Sequence, residues 1–336
     1  MAEKQKKPVI GGQAVMEGVM MKAPDAIAIA VRKPDGEIVL KRDPYVSPAK
    51  KHKWMGRPVI RGVVNMVSML AMGMTTLEAS TKMLGILDEE PSRFERWLSE
   101  KLGKSVDKII MGVAILMAAG LSVLLFMAIP SLIGSLLNRA VSSLLMVNLA
   151  TGLVRIVILI AYIGLAGLIP DMRRTFEYHG AEHKTVYCFE NGLPLTPENA
   201  QRFSTLHPRC GTSFLLLVMI IAVLLGAVTD QLLYLIFGVK QLTFLWRFIR
   251  SLAILPIIAG VSFEALQALA RKDNGLVRAV RWPGLMLQKL TTREPDLRQL
   301  EVAIAAFNAA LYGEHAAEAE GVKPEAEDAG AQADAP

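Results

Sequence analysis

The chain has 336 residues, 52% hydrophobic and only 6% aromatic, with a formal net charge of +6. Length and apolar excess leave room for a membrane helix bundle plus one modest polar unit, and the dominance of Ala, Leu, Ile, Val and Met argues against a β-rich core. Two cysteines exclude a disulfide framework, and reduced thiols or metal ligands are the alternative. The charge is unevenly spread: after Tyr312, seven acidic residues face only Lys323, so the rest of the chain carries +12. No RNA- or DNA-binding module is visible, so this basic body reads as cytoplasmic loops obeying the positive-inside rule, with the bilayer as partner and no nucleic acid expected.

Residues 1–57 read as a small cap outside the membrane. Met1–Lys7 is charged without an apolar stretch before Gly11, so no cleavable signal peptide is expected. Gly11–Met21 is apolar and reads as a strand with one exposed acid, Glu17; in the alternative reading, Gln13 and Glu17 reach toward histidines far downstream. Ala26–Arg32 and Glu37–Arg42 flank Lys33-Pro34-Asp35-Gly36, a turn sequence that predicts a β-hairpin. Lys50, Lys51, Lys53, Trp54 and Arg57 suit lipid headgroups.

Residues 58–108 form a helical, interfacial region. Val59–Leu87 is apolar but interrupted by Arg61, Asn65 and Glu78, which favours lying in or dipping into the membrane over spanning it. Residues 88–108 are mixed in charge and read as a solvated helix. The bundle occupies 109–270, with spans over Ile109–Leu137, Leu144–Ile169, Ser213–Thr229 and Leu242–Phe263. Arg155 lies inside the second without an obvious partner. Arg173, Arg174, Lys184, Arg202 and Arg209 load the 170–212 connection, and Arg271, Lys272, Arg278 and Arg281 follow the last span. Both termini and the histidine loop are therefore expected in the cytoplasm, at the cytoplasmic (inner) membrane. Residues 271–312 read as C-terminal cytoplasmic helices and 313–336 as a disordered acidic tail. The fold expected is mainly α: a polytopic bundle of about four transmembrane helices with a small β-hairpin-containing cap.

Three of five histidines and both cysteines fall between His179 and Cys210. His179-Gly180-Ala181-Glu182-His183 spells H-x-x-E-H, the spacing of inverted zinc hydrolase motifs. Pro170-Asp171 predicts a helix start and Asn191-Gly192 its stop after Glu190. At 100° per residue, His183 falls about 40° and Glu190 about 20° from His179, Glu182 about 60° to the other side, and Cys188 about 180° away. His179 and His183 can thus share a divalent metal, zinc by ligand type, with Glu182 as flanking base; Cys188 cannot join. A catalytic zinc needs a third protein ligand and an open position. Glu264, at the cytoplasmic end of the last span, would give a catalytic site. His207 and Cys210, spaced H-x-x-C, would close a structural one. Arg209 and Lys184 read as anion-binding groups or as positive-inside charges.

Gly12-Gln13-Ala14-Val15-Met16-Glu17-Gly18-Val19-Met20-Met21, Tyr178–Lys184, His207-Pro208-Arg209-Cys210-Gly211-Thr212 and Gly260–Glu264 resemble the signature blocks of the YqhQ family of bacterial membrane proteins, from about Pro8 to Leu311. The resemblance implies a domain of unknown function described as a metal-dependent enzyme. It makes Glu17, His179, Glu182, His183, His207, Cys210 and Glu264 candidate site residues without assigning roles. The leading expectation is a metal-dependent hydrolase on the cytoplasmic face, substrate open. The competing one is a non-enzymatic transport-accessory or assembly protein with a structural metal or none.

Overall fold

The computed structural model describes residues 8–48, 52–85, 106–238, 243–270, 274–313 and 323–324. The chain opens with an antiparallel meander of β1 (Gly11–Val15), β2 (Gly18–Lys22), β3 (Ala26–Arg32) and β4 (Ile38–Pro44). A two-residue segment, β5 (Lys323–Pro324), pairs in parallel with β4. The expected hairpin forms between β3 and β4, with Gly36 at φ +92°. The stretch before it, expected as a single strand, is itself a hairpin. Val15 pairs with Gly18, and Glu17 turns the chain in the left-handed region at φ +50°, the backbone state a two-residue reversal calls on.

Both faces of this sheet are covered. Val19, Met21, Ala28, Ala30 and Leu40 enter one apolar cluster, and Val15, Met20, Ile29, Val31 and Val39 another. Successive side chains alternate between faces, so a strand apolar at every position must be packed on both sides.

Helices make up the rest. A 3-10 turn at Lys53–Gly56 leads into α1 (Ile60–Met83). α2 (Val106–Val123) passes through a π-helical segment, Leu124–Ala128, into α3 (Ile129–Ala140). The ladder is thus already rearranged where Pro130 removes a donor. α4 (Leu144–Ala166), α5 (Pro170–Glu190), α6 (Pro197–Gln201), α7 (Gly211–Phe237), α8 (Phe244–Ala270), α9 (Gly275–Thr291) and α10 (Leu297–Tyr312) follow. The expected start and stop of the histidine helix match α5. The stretch expected as a charged helix over 88–108 lies outside the described residues as far as 105, as do Lys50, Lys51 and, apart from Gly313 and β5, the tail.

Five helices are long and apolar enough to cross a bilayer, where about four were expected: Ile60–Met83, Gly112–Ala140, Leu144–Ala166, Gly211–Phe237 and Leu245–Leu269. The additional one is α1, whose polar interruptions are offset inside the fold. Arg61 forms a two-pronged pair with Glu264 on α8 at 2.7 and 2.5 Å, and Glu78 pairs with Lys82 at 2.8 Å. The N-terminal half of α1 lies against α8, where a Cβ on Gly62 would meet the Gly260 Cα at 2.7 Å. Its C-terminal half lies on the sheet through Met72, Ala79, Met83 and Leu84, and Thr76 accepts a 2.5 Å hydrogen bond from Gln13.

The opposite sheet face meets α10 and α5. Here Phe307, fully buried, packs 4.9 Å from the Phe189 ring. A third cluster joins α4, α7 and α9 through Leu159, Ile163, Leu216 and Leu287. Phe307→Ala should lower the thermal midpoint of the detergent-purified protein, with a loss of about 3–5 kcal/mol for a buried aromatic. An unchanged midpoint would mean that α10 does not share the sheet's core.

Candidate metal centre

α5 carries Tyr178, Gly180, Ala181, Glu182, His183, Lys184, Thr185, Val186 and Cys188, all buried. The sheet and α10 cover one side, and the 201–210 segment with the 291–294 connection covers the other. A helix rich in polar groups can be enclosed in this way only if those groups find partners. Gly180 permits the close fit. A Cβ there would collide with the Arg293 carbonyl oxygen and sit 3.2 Å from the Thr205 methyl.

The segments admitted by Gly180 supply the acceptors. His179 Nδ1 lies 2.8 Å from the Thr291 carbonyl, and His183 Nδ1 bonds to the Thr205 carbonyl. A carbonyl can only accept, so both rings carry the proton on Nδ1 and leave a lone pair on Nε2. One ring nitrogen of each histidine and Cys210 Sγ lie within 4.8 Å of one another, with His179 Nε2 3.2 Å from the sulfur. His183 Nε2 is buried with no hydrogen-bond partner. An orphaned buried lone pair next to a second nitrogen and a sulfur is the environment a soft divalent cation fits. Cys210 is also the N-cap of α7, where its sulfur accepts from Thr212 N–H at 3.4 Å. A helix start favours negative charge, which suits a thiolate ligand.

Glu182 stands beside this group. Its Oε2 is 4.0 Å from His179 Nε2 and 3.7 Å from His183 Nε2, while Oε1 accepts the Gly12 N–H at 3.0 Å. A Cβ on Gly12 would meet Glu182 Cγ at 3.0 Å, so the glycine lets the β1 backbone reach the carboxylate. The hairpin does approach the histidine helix, but through this peptide rather than through Gln13, which is held by Thr76. Glu17 reaches α5 one turn earlier, paired with Arg174 and 3.4 Å from the Tyr178 hydroxyl. The Glu17 carboxylate raises the Arg174 pKa, and burial raises that of Tyr178.

His207 and Glu264 differ from their expected places. His207 Nε2 turns to Glu190 at 3.5 Å, and Glu190 also pairs with Arg209. The ring sits 5.6 Å from His183 and 4.5 Å from Tyr187, outside the three-atom group, and burial lowers its pKa. The closed shell of three histidines and a cysteine is thus not assembled. Glu264 is engaged by Arg61 and by the Val59 N–H at 3.2 Å, so it lies outside the three-residue group, whose third member is Cys210. Cys188 points into the apolar core, as its helical phase requires, and burial raises its pKa.

Several positioning groups carry no sequence signal. Gln288 grips the His207 peptide from both sides, accepting from its N–H and donating to its C=O, each at 2.8 Å, and reaches Ser213 at 2.7 Å. Lys184, 2% exposed, donates to the Gln201 and Phe203 carbonyls at 2.7 Å and to Glu294 at 2.6 Å. These contacts tie Lys184 to the segment that offers Thr205 to His183.

Residues 57–312 match the family described as "Protein of unknown function (DUF1385)". Among curated proteins, the chain is 33% identical over 314 residues to the "Uncharacterized protein YqhQ" of Bacillus subtilis (strain 168), covering 93% of this chain and 95% of that one. No solved structure matches. The aligned region takes in the histidine helix, the Cys210 segment and every apolar helix, and the chain therefore belongs to the YqhQ-like DUF1385 family of multi-pass membrane proteins.

Proposed function

We propose that this protein holds a divalent metal of zinc type at His179, His183 and Cys210 and hydrolyses an amide or ester at the cytoplasmic face of the membrane, with Glu182 as general base. The observation that carries this reading is the spending of both Nδ1 protons on carbonyls. It aims two imidazole lone pairs and a sulfur at one point beside a buried carboxylate. Three protein ligands leave a tetrahedral ion one position open, the arrangement of catalytic rather than structural zinc. A bound ion would supply the Lewis acidity that makes water nucleophilic near neutral pH.

The protein's own groups do the rest. Gly12 N–H holds Glu182 Oε1, which directs Oε2 toward the histidines and lets it take the proton of the attacking water. The same carboxylate returns that proton to the leaving group. Thr291 and Thr205 lock the imidazole tautomers, and Gln288 fixes the strand of chain that delivers Cys210.

Packing and connectivity support a topology for this site. The sheet and α5 share one core, so they lie on the same side of a bilayer, and an even number of crossings must separate them. α2–α3 and α4 provide two, which leaves α1 as a helix lying between cap and bundle, consistent with its packing on the sheet. α7 and α8 add two more and return the chain to α10, again on the sheet. With Arg173, Arg174, Arg202 and Arg209 on this side, it is the cytoplasmic one of the inner membrane.

Two measurements test these readings. Metal analysis of protein purified in detergent without chelators should find one equivalent of zinc-type metal, lost in Cys210→Ser and kept in Glu182→Gln. The Glu182→Gln allele should nevertheless behave in cells as a null, since a general base contributes about 10²–10⁴-fold in rate. Metal-free wild-type protein would sink the site, and a functional Glu182→Gln allele would leave it a structural one. For topology, a Ser142→Cys variant should react with an impermeant maleimide on intact spheroplasts, and a Lys33→Cys variant only after lysis. Labelling of Lys33→Cys from outside would overturn the even-crossing arrangement.

A further inference from the structure

We infer that the helix bundle contains a second site, away from the histidine cluster, that binds a phosphate-bearing anion through Arg155, Arg247 and Arg250. These side chains come from α4 and α8 and line a cavity of about 50 Å³, together with Asn138, Asn148 and Asp230. The volume is enough for a small anionic group, since a single water needs only about 10–15 Å³ by the same measure.

Charge makes the case. Arg250 is accounted for in part: it pairs with Asp230 and donates to the Gly226 carbonyl at 3.3 Å, while its Nε is buried without a hydrogen-bond partner. Arg155 makes no hydrogen bond or ion pair among the described residues, and its Nε is buried without a partner. Asn148 Nδ2, on the next turns of the same helix, is also a buried donor without an acceptor. Arg247 adds another positive charge. Among the described residues, three guanidinium groups against one carboxylate leave the cavity at +2, with unmatched donors, inside helices apolar enough to lie in hydrocarbon. Intramembrane charge of this kind is costly unless it is paired or faces a water-filled path. A phosphate group answers both needs, because its non-bridging oxygens accept from the planar guanidinium fork two at a time. Carboxylate in the fold has already been used, by Asp230 on Arg250.

The cavity also lies apart from the metal centre along the helix axes. Arg155 is in the middle of α4, and Asp230 is 19 residues beyond Gly211, about 28 Å along α7 from the Cys210 end. The shared ligand chemistry is a phosphate mono- or diester, reached either as a lipid headgroup or as a free anion.

The test uses full-length protein in a neutral maltoside detergent. Inorganic phosphate is titrated against chloride at equal ionic strength, and phosphatidylglycerol against phosphatidylcholine in mixed micelles, with thermal midpoint and native mass spectrometry as readouts. The expected result is a raised midpoint and a retained ligand in one of these arms. Phosphatidylglycerol alone would identify a lipid headgroup, and inorganic phosphate a free anion. Arg155→Gln and Arg247→Gln should each weaken that binding about tenfold or more, as expected on losing a charge-assisted hydrogen bond. Without ligand, Arg155→Gln should melt no lower than wild type, because it removes a buried unpaired charge; a purely structural arginine would lower it. Absence of binding in both arms overturns the proposal, as does binding that neither substitution weakens. Should one variant fail to fold, the wild-type titrations and the other variant still decide.

Discussion

The enclosure of a polar helix is the constraint on which the rest of this structure depends. α5 is buried from Tyr178 to Val186 except at the partly exposed His179, yet this stretch contains two histidines, a glutamate and a lysine. Burying an unsatisfied polar group costs on the order of 1–3 kcal/mol, and more for a charge, so each must be met from elsewhere. The partners come from four distant stretches: Gly12 in the first hairpin, the 201–205 segment, Thr291 at the end of α9 and Glu294 beyond it. None of these belongs to α5's own neighbourhood in sequence. The site therefore exists only when the N-terminal cap, the loop after α5 and the C-terminal helices are assembled together, and its integrity reports on the whole fold.

The same enclosure ties the cap to the membrane part. β2 and β3 are apolar on both faces, which requires two covers, and the chain uses α10 for one and the second half of α1 for the other. α1 packs on the sheet at one end and against α8 at the other, while Val67, Met69, Leu70, Met74 and Leu77 stay exposed along its outer face. Those exposed apolar side chains are what give it the length and composition of a span. The Gly62–Gly260 approach and the Arg61–Glu264 pair fix its first turns to the bundle.

What the sequence made legible was what local periodicity controls. Helical phase alone separated Cys188 from His179 and His183, and Pro170 and Asn191-Gly192 bounded the helix that carries them. The third member of the group was less accessible, because Glu264 and Cys210 are both distant and only tertiary packing chooses between them. Arg61 makes that choice by claiming Glu264. The division of Gly11–Met21 into two strands was hidden because Met16-Glu17 lacks the glycine or asparagine that usually marks a tight turn. The groups that orient the imidazoles were invisible for a deeper reason: Thr291, Thr205 and Gly12 act through backbone atoms, which every residue has.

The two buried polar clusters follow opposite electrostatic logic, and this says what each can hold. Around His179, His183, Cys210 and Glu182, the Nδ1 donors are spent on carbonyls, and what faces the centre is a set of nitrogen, sulfur and carboxylate groups that suits a cation. Around Arg155, Arg247 and Arg250, the one carboxylate is taken and donors remain, which only an anion completes. Among the described residues, His183 Nε2 and Arg155 Nε are both buried without a hydrogen-bond partner. Single buried polar atoms without a hydrogen-bond partner also occur elsewhere, as on Arg32, Thr185 and Ser262, but the arginine cavity gathers three of them, on Arg155, Asn148 and Arg250. That gathering of donors, beside charge that Asp230 only partly offsets, is what separates a ligand site from loose packing.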